Sequence, residues 1–180
     1  MARDLILEIG VEEIPSAYMG RAIADLKANA LKQLNDARLS YKEIQSYGTP
    51  RRLTLFVKGL EEKQPDAVIE IRGPKKSIAF DQEGNPTKAG LGFARSHKAD
   101  FNNLEVREVG GVEYIFVIKK EKGNASTAIL PGILLDIINS LSFPKSMRWG
   151  YYHARFARPI RWLLALLDSE RINIQIENIK

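Results

Sequence analysis

Met19, Ile23, Leu26, Ala30, Leu34 and Ala37 recur at three- and four-residue intervals behind a short apolar run, Leu5-Ile-Leu-Glu-Ile-Gly10. This switch of period constrains the chain more than any other feature. A run of that length suits a strand, whereas the later spacing puts every apolar residue on one stripe of a helix, which needs a sheet or another helix to cover it. Pro15-Ser16 marks where that helix opens. Ile44–Tyr47 and Leu53–Val57 read as strands flanking a turn at Gly48-Thr-Pro50, and Ala67–Ile71 reads as another, closed by Gly73-Pro74. The opening third is therefore expected to run β-α-β-β-β.

The stretch Gly73–Pro86 is rich in turn formers, and Thr87 is placed to cap a short helix through Ala89, Phe93 and Ala94. Val106–Val109 and Val112–Ile118 sit on either side of Gly110-Gly111, a dipeptide that readily takes the positive φ angles of a tight turn, so they predict a hairpin. A second long helix is expected from Ala125 to about Ser140, with Ile129, Ile133, Ile137 and Leu141 on one face and Pro131 accommodated in its first turn. Ile160–Leu167 fits helix or strand. Ile172-Asn-Ile-Gln-Ile176 alternates strictly and predicts a strand on a half-buried sheet after the turn Asp168-Ser-Glu170. The fold class is α+β: a mixed, mostly antiparallel sheet, two long amphipathic helices and a small inserted lobe over 73–123.

The 180 residues are enough to bury a sizeable core in one ordinary domain or two small ones. With no cysteine, disulfides and thiolate metal sites are excluded, which fits a reducing compartment. The N-terminal run carries charges and gives no sign of a secretion signal, and no window reaches the ~20 apolar residues of a membrane span. A cytoplasmic protein with no membrane partner is expected.

Lys plus Arg exceed Asp plus Glu, 27 against 22, and the excess is unevenly placed. Between Pro144 and Trp162 lie Lys145, Arg148, Arg155, Arg158 and Arg161 with no Asp or Glu, together with Trp149 and Trp162. Guanidinium forks pair with phosphate or carboxylate, and indole rings offer a face for stacking, so this stretch suits recognition of an anionic, aromatic ligand such as RNA. It suits a subunit interface equally well. Trp162 leads the apolar run Leu163–Leu167 and is expected in the core, which leaves Trp149, beside Gly150, as the exposed ring. Arg51 and Arg52 follow Pro50 and are secondary candidates, expected on opposite faces of their strand.

Common catalytic motifs are absent: the chain has no phosphate loop, no dinucleotide fingerprint and no histidine pair at metal-binding spacing. His97 and His153 are isolated and receive no role. Glu8, Glu12 and Glu13 are near enough in sequence for acid–base or metal chemistry, but a structural role, with Glu12 and Glu13 favouring the positive end of the helix after Pro15, is the plainer reading. No catalytic and no metal-binding residue is assigned.

Several blocks, taken in order, carry a resemblance. They are Leu5-Ile-Leu-Glu-Ile-Gly-Val-Glu-Glu-Ile-Pro15, Tyr47-Gly-Thr-Pro-Arg-Arg-Leu53, Gly73-Pro74 with Ala79-Phe-Asp81, Pro86-Thr-Lys-Ala89 with Gly92-Phe-Ala-Arg95, and Phe143-Pro-Lys-Ser-Met-Arg-Trp-Gly150 with Arg155-Phe-Ala-Arg-Pro-Ile160. Together they resemble the N-terminal portion of the bacterial glycyl-tRNA synthetase beta subunit. Residues 1–180 would then be a fragment of a longer chain. The resemblance implies a heterotetramer of two alpha and two beta subunits that joins glycine to its tRNA. ATP and magnesium are then used through the alpha subunit, and none is bound by this chain. The implied partners are the alpha subunit and glycine tRNA, with no DNA. The implied role is tRNA recognition and holoenzyme assembly, the alternative being a module that docks the alpha subunit without touching RNA. An independent small-molecule enzyme is the third class. Val11 stands where the family has threonine and Arg161 where it usually has histidine, and arginine, always protonated, cannot serve there as acid or base.

Overall fold

The computed structural model describes residues 2–81 and 83–180; Met1 and Gln82, the latter within the turn-rich 73–86 stretch, lie outside the described residues. The chain divides into two compact units, residues 1–65 with 124–180, and residues 66–123. The second unit begins early enough to take in Ala67–Ile71, which the sequence pattern groups with the opening strands. The architecture is α+β, and every strand pairing described is antiparallel.

In the first unit, β1 (Ala2–Val11), β2 (Glu43–Thr49), β3 (Arg52–Glu61), β7 (Ile160–Leu167) and the short β8 (Glu170–Arg171) form one sheet in the order β2-β3-β1-β7-β8. Ile160–Leu167 is thus strand. On β1, Leu5, Leu7 and Ile9 are fully buried, as are Leu53, Leu55 and Val57 opposite them on β3, because side chains alternate and one face is given entirely to the core. Helix α1 (Ser16–Asp36) covers that face with Ala22, Leu26, Ala30 and Leu34. Helix α4 (Ser126–Asn139) adds Leu130, Ile133, Leu134, Ile137 and Ile138 to the same core cluster. Asn29 of α1 donates from Nδ2 to the Ile137 carbonyl of α4 at 3.4 Å.

Four expectations change. The β2–β3 turn is Pro50-Arg51, not Gly48-Thr-Pro50: Thr49 pairs with Arg52, and Gly48 stays in the ladder. Gly48 is there for closeness, since a Cβ would sit 2.6 Å from the Met19 terminal carbon and 2.9 Å from Ile23 of α1. Gly73 and Pro74, expected to end their strand, lie within the strand Ala67–Lys75. Pro131 lies beyond the first turn of α4, where it leaves one helical carbonyl without its usual donor; packing of the helix into the core offsets that loss. Ile172–Ile176 is not a ladder strand. Its Ile172 N–H donates to Ala165 at 2.9 Å and the segment then leaves β7, yet Ile172, Ile174 and Ile176 are all buried. Alternation reported the burial correctly; it does not by itself demand a hydrogen-bonded neighbour.

The second unit holds β4 (Ala67–Lys75), β5 (Glu105–Val109) and β6 (Val112–Glu121) in the order β4-β6-β5. The β5–β6 hairpin turns on Gly110 and Gly111 at φ +63° and +79°. Between the strands lie α2 (Lys76–Ala79) and α3 (Lys88–Ser96), and Thr87 caps α3, its Oγ1 accepting from the Gly90 N–H at 3.3 Å. Phe93 of α3 occupies the space a side chain at Gly73 would fill. No helix among the described residues is long and apolar enough to cross a membrane.

Candidate functional site

Three segments far apart in sequence are tied together by backbone hydrogen bonds at one end of the five-stranded sheet. The Val11 N–H donates to the Arg51 carbonyl at 3.0 Å and the Ile14 N–H to Pro50 at 2.7 Å, while the Glu12 N–H donates to Pro159 at 3.0 Å. The exit of β1, the Pro50-Arg51 turn and the entry to β7 therefore form one corner, and it brings Arg51, Arg52, Arg161 and Trp162 together with Glu8 and Glu12.

Strand register orders this corner. Arg52, Gly10 and Trp162 stand opposite one another on β3, β1 and β7, on the face away from α1. Trp162 lies flat across Gly10: a Cβ there would be 1.9 Å from its Cε2, so only glycine leaves room for the indole. Its Nε1–H donates to Glu8 Oε1 at 2.9 Å, and the Arg52 guanidinium sits 5.8 Å from the ring centroid, within cation–π range. Trp162 is thus half-buried on the outer face and outside the core cluster. Trp149, expected as the exposed ring, is also half-buried and packs against that core. The two tryptophans exchange their expected roles because strand parity, not the apolar run after Trp162, decides which face its side chain meets.

The register of β1 and β7 shifts after Gly10–Trp162, so that Val11 pairs with Ile160. Arg161 is the additional residue of this bulge, turned to solvent, and its Nε lies 3.4 Å from Glu12 Oε1. Glu12 therefore faces Arg161 and Glu8 holds the Trp162 N–H, while the first turn of α1 itself carries no acidic residue. An ion pair this exposed adds little stability and leaves Arg161 available to a stronger anion.

The remaining cations ride on the loop that leads into β7. Met147 and Phe156 exchange backbone hydrogen bonds of 2.8 and 3.2 Å, and the buried Phe156 ring meets Phe143 edge-on at 4.7 Å, which pins the loop to the core. Lys145, Arg148 and Arg155 project from it, exposed, while Arg158 is half-buried and donates to the Ala157 carbonyl at 2.8 Å. Arg155 Nε donates to Ser146 Oγ at 3.3 Å. The loop is closed by Glu177, whose Oε1 accepts from the N–H groups of His153 and Ala154 at 3.0 and 3.1 Å. Among the described residues, Arg51, Arg52, Lys145, Arg148, Arg155 and Arg158 have no carboxylate partner, a concentration of unneutralised charge suited to a polyanion. Sequence reasoning passed over Tyr47 and Gly10. Gly10 inside a strand pattern was the available signal, since an interior strand glycine marks close approach by a neighbour.

The sequence pattern described as glycyl-tRNA synthetase beta subunit matches residues 5–180. Over all 180 residues the chain is 64% identical to the glycine–tRNA ligase beta subunit of Syntrophomonas wolfei. It is 49% identical over 179 residues, 99% of its length, to that of Moorella thermoacetica, and 46% identical over all 180 to that of Desulforamulus reducens. In each case it spans 26% of the relative's own length. Motif order, matched span and identity agree, and the chain belongs to the glycyl-tRNA synthetase beta subunit family.

Proposed function

We propose that this region contributes to tRNA recognition in a glycine–tRNA ligase and helps to hold the holoenzyme together, without performing the chemistry itself. The observation that carries the reading is the arginine corner: Arg51, Arg52 and Arg161 are assembled from separate segments beside a loop that presents Lys145, Arg148 and Arg155, most of them unpaired. A backbone of phosphates meets such a surface through many shared contacts, each releasing counterions. In this reading glycine tRNA and the alpha subunit are the partners, and the setting is cytoplasmic. ATP and magnesium are handled by the alpha subunit. Among the described residues no three His, Asp or Glu side chains are grouped to hold a metal ion.

Titration of labelled glycine tRNA, with an equal-length DNA duplex as competitor, tests the reading. About five phosphate contacts predict a slope of about −3.5 to −4.5 in log affinity against log salt. Arg148→Glu/Arg155→Glu should abolish tight binding without changing the melting temperature. No binding at low salt would remove RNA contact from this region and leave docking of the alpha subunit as its role. Glycylation by this chain alone is expected to be nil, and turnover of glycine and ATP without the alpha subunit would overturn that assignment.

A further inference from the structure

On the sheet face away from α1, the row next to Arg52, Gly10 and Trp162 reads Tyr47, Thr54, Glu8 and Leu164 across β2, β3, β1 and β7. Its two ends are apolar and open: Tyr47 is 55% and Leu164 37% exposed. Thr54 between them is short and leaves the floor low. The Tyr47 hydroxyl meets Gln45 Oε1 on the same strand and face. Glu8 gives one oxygen to the Trp162 N–H; its other oxygen has no hydrogen bond among the described residues. Arg52, a diagonal cross-strand neighbour of Tyr47, is steadied by the indole and has no carboxylate partner.

From this juxtaposition we infer that the open face holds a site for one unpaired nucleotide of RNA. Tyr47 stacks on the base, Arg52 meets the adjoining phosphate, and the free Glu8 oxygen accepts from an exocyclic amino group or a ribose hydroxyl. Leu164 closes the far side. The chemistry favours an unpaired nucleotide because the faces of a base are open to an aromatic side chain only where the base has left its stack, whereas a duplex offers phosphates and groove edges. Arginine and tyrosine are also enriched at protein interfaces, so a protein surface is the competing occupant. The Arg52–Trp162–Glu8 arrangement does suit a group that carries an anion and a hydrogen-bond donor together. Trp162 and Gly10 are positioning residues here: the ring holds Arg52 and Glu8 in place, and Gly10 makes space for the ring.

This inference rests on the proposed RNA contact, and one experiment separates the two. Binding of a labelled unpaired RNA of about eight bases and of an RNA duplex of the same length is measured at low salt. The proteins are the unaltered chain, Tyr47→Ala, Tyr47→Phe and Arg148→Ala/Arg155→Ala, each first checked by thermal melting. The expected result is a preference for the unpaired RNA that Tyr47→Ala weakens by about 5- to 150-fold and Tyr47→Phe retains, with duplex binding unchanged. The loop variant should weaken both RNAs. Equal affinity for both RNAs, unaffected by Tyr47→Ala, would overturn the nucleotide site and leave the cationic contact standing. Failure of the unaltered chain to bind either RNA would overturn both.

Discussion

The two sheets of this chain are built to different standards of burial. In the five-stranded sheet, Leu5, Leu7 and Ile9 of β1 and Leu53, Leu55 and Val57 of β3 are completely removed from water beneath α1 and α4. In the three-stranded sheet only the central strand is comparably buried, through Ile115, Phe116 and Val117; its flanking strands leave Val68, Val106 and Val109 about half-exposed. There, pairing across the surface supplements burial: Arg107 lies against the Phe116 ring and reaches Glu70 at 2.7 Å and Glu105 at 2.6 Å, while Arg72 lies 4.9 Å from the centroid of Tyr114. The contrast shows where each unit's stability comes from. Apolar area removed from water is worth about 25 cal/mol per Å² and is nearly indifferent to salt, whereas exposed ion pairs contribute little and are screened.

Substitutions should break the comparison on its strong side first. Leu7→Ala opens a cavity under the central strand and is expected to cost about 2–5 kcal/mol in chemical denaturation of the chain. Gly10→Ala forces a methyl into the Trp162 ring and should cost about 1–3 kcal/mol, with a change in tryptophan emission that reports displacement of the indole. In the second unit, Val106→Ala removes only half-exposed surface, and a loss of at most about 1 kcal/mol is expected by the same denaturation. A loss as large as that of Leu7→Ala would show that the two sheets are equally dependent on burial.

Smaller effects sharpen the electrostatic side. Arg107→Ala should lower the melting temperature slightly at low salt, with the difference vanishing near about 1 M salt, where screening acts over about 3 Å. Acid probes one carboxylate in each unit. The Asp4 N–H, then Arg3, hold the Asp168 carboxyl below its usual range, and hydrogen bonds led by the Asn85 N–H do the same for Asp81. A carboxyl lowered in the folded state stabilises above its unfolded value, near about 3.9, and that contribution fades as pH falls through the folded value. Melting curves between neutral pH and pH below about 4 should therefore converge for the parent chain and Asp168→Asn, the asparagine also tolerating the left-handed backbone at this position.

Periodicity exposed the strands and helices because burial on one face leaves a regular imprint: α1 follows its apolar stripe from Ser16 to Asp36, and Gly110-Gly111 locates a hairpin to the residue. It failed where two arrangements bury the same side chains. Ile172–Ile176 is buried alternately without a ladder, and Gly48 marks a close helix, not a turn. The candidate cations were legible as a charge-biased stretch. Their grouping was not, since Arg51 and Arg161 meet only through hydrogen bonds that link Val11 to Arg51 and Glu12 to Pro159.

Composition, period and motif order were therefore enough to set the α+β class, most of the elements and the family, because each depends on neighbours within a few residues or on blocks kept in order along the chain. Which tryptophan faces the core was settled elsewhere. A one-residue shift in strand register moves a side chain to the other face of a sheet, and the bulge at Arg161 is invisible until β7 is laid against β1. Tertiary pairing alone placed Arg52 over Trp162, Trp162 over Gly10, and Tyr47 within reach of all three.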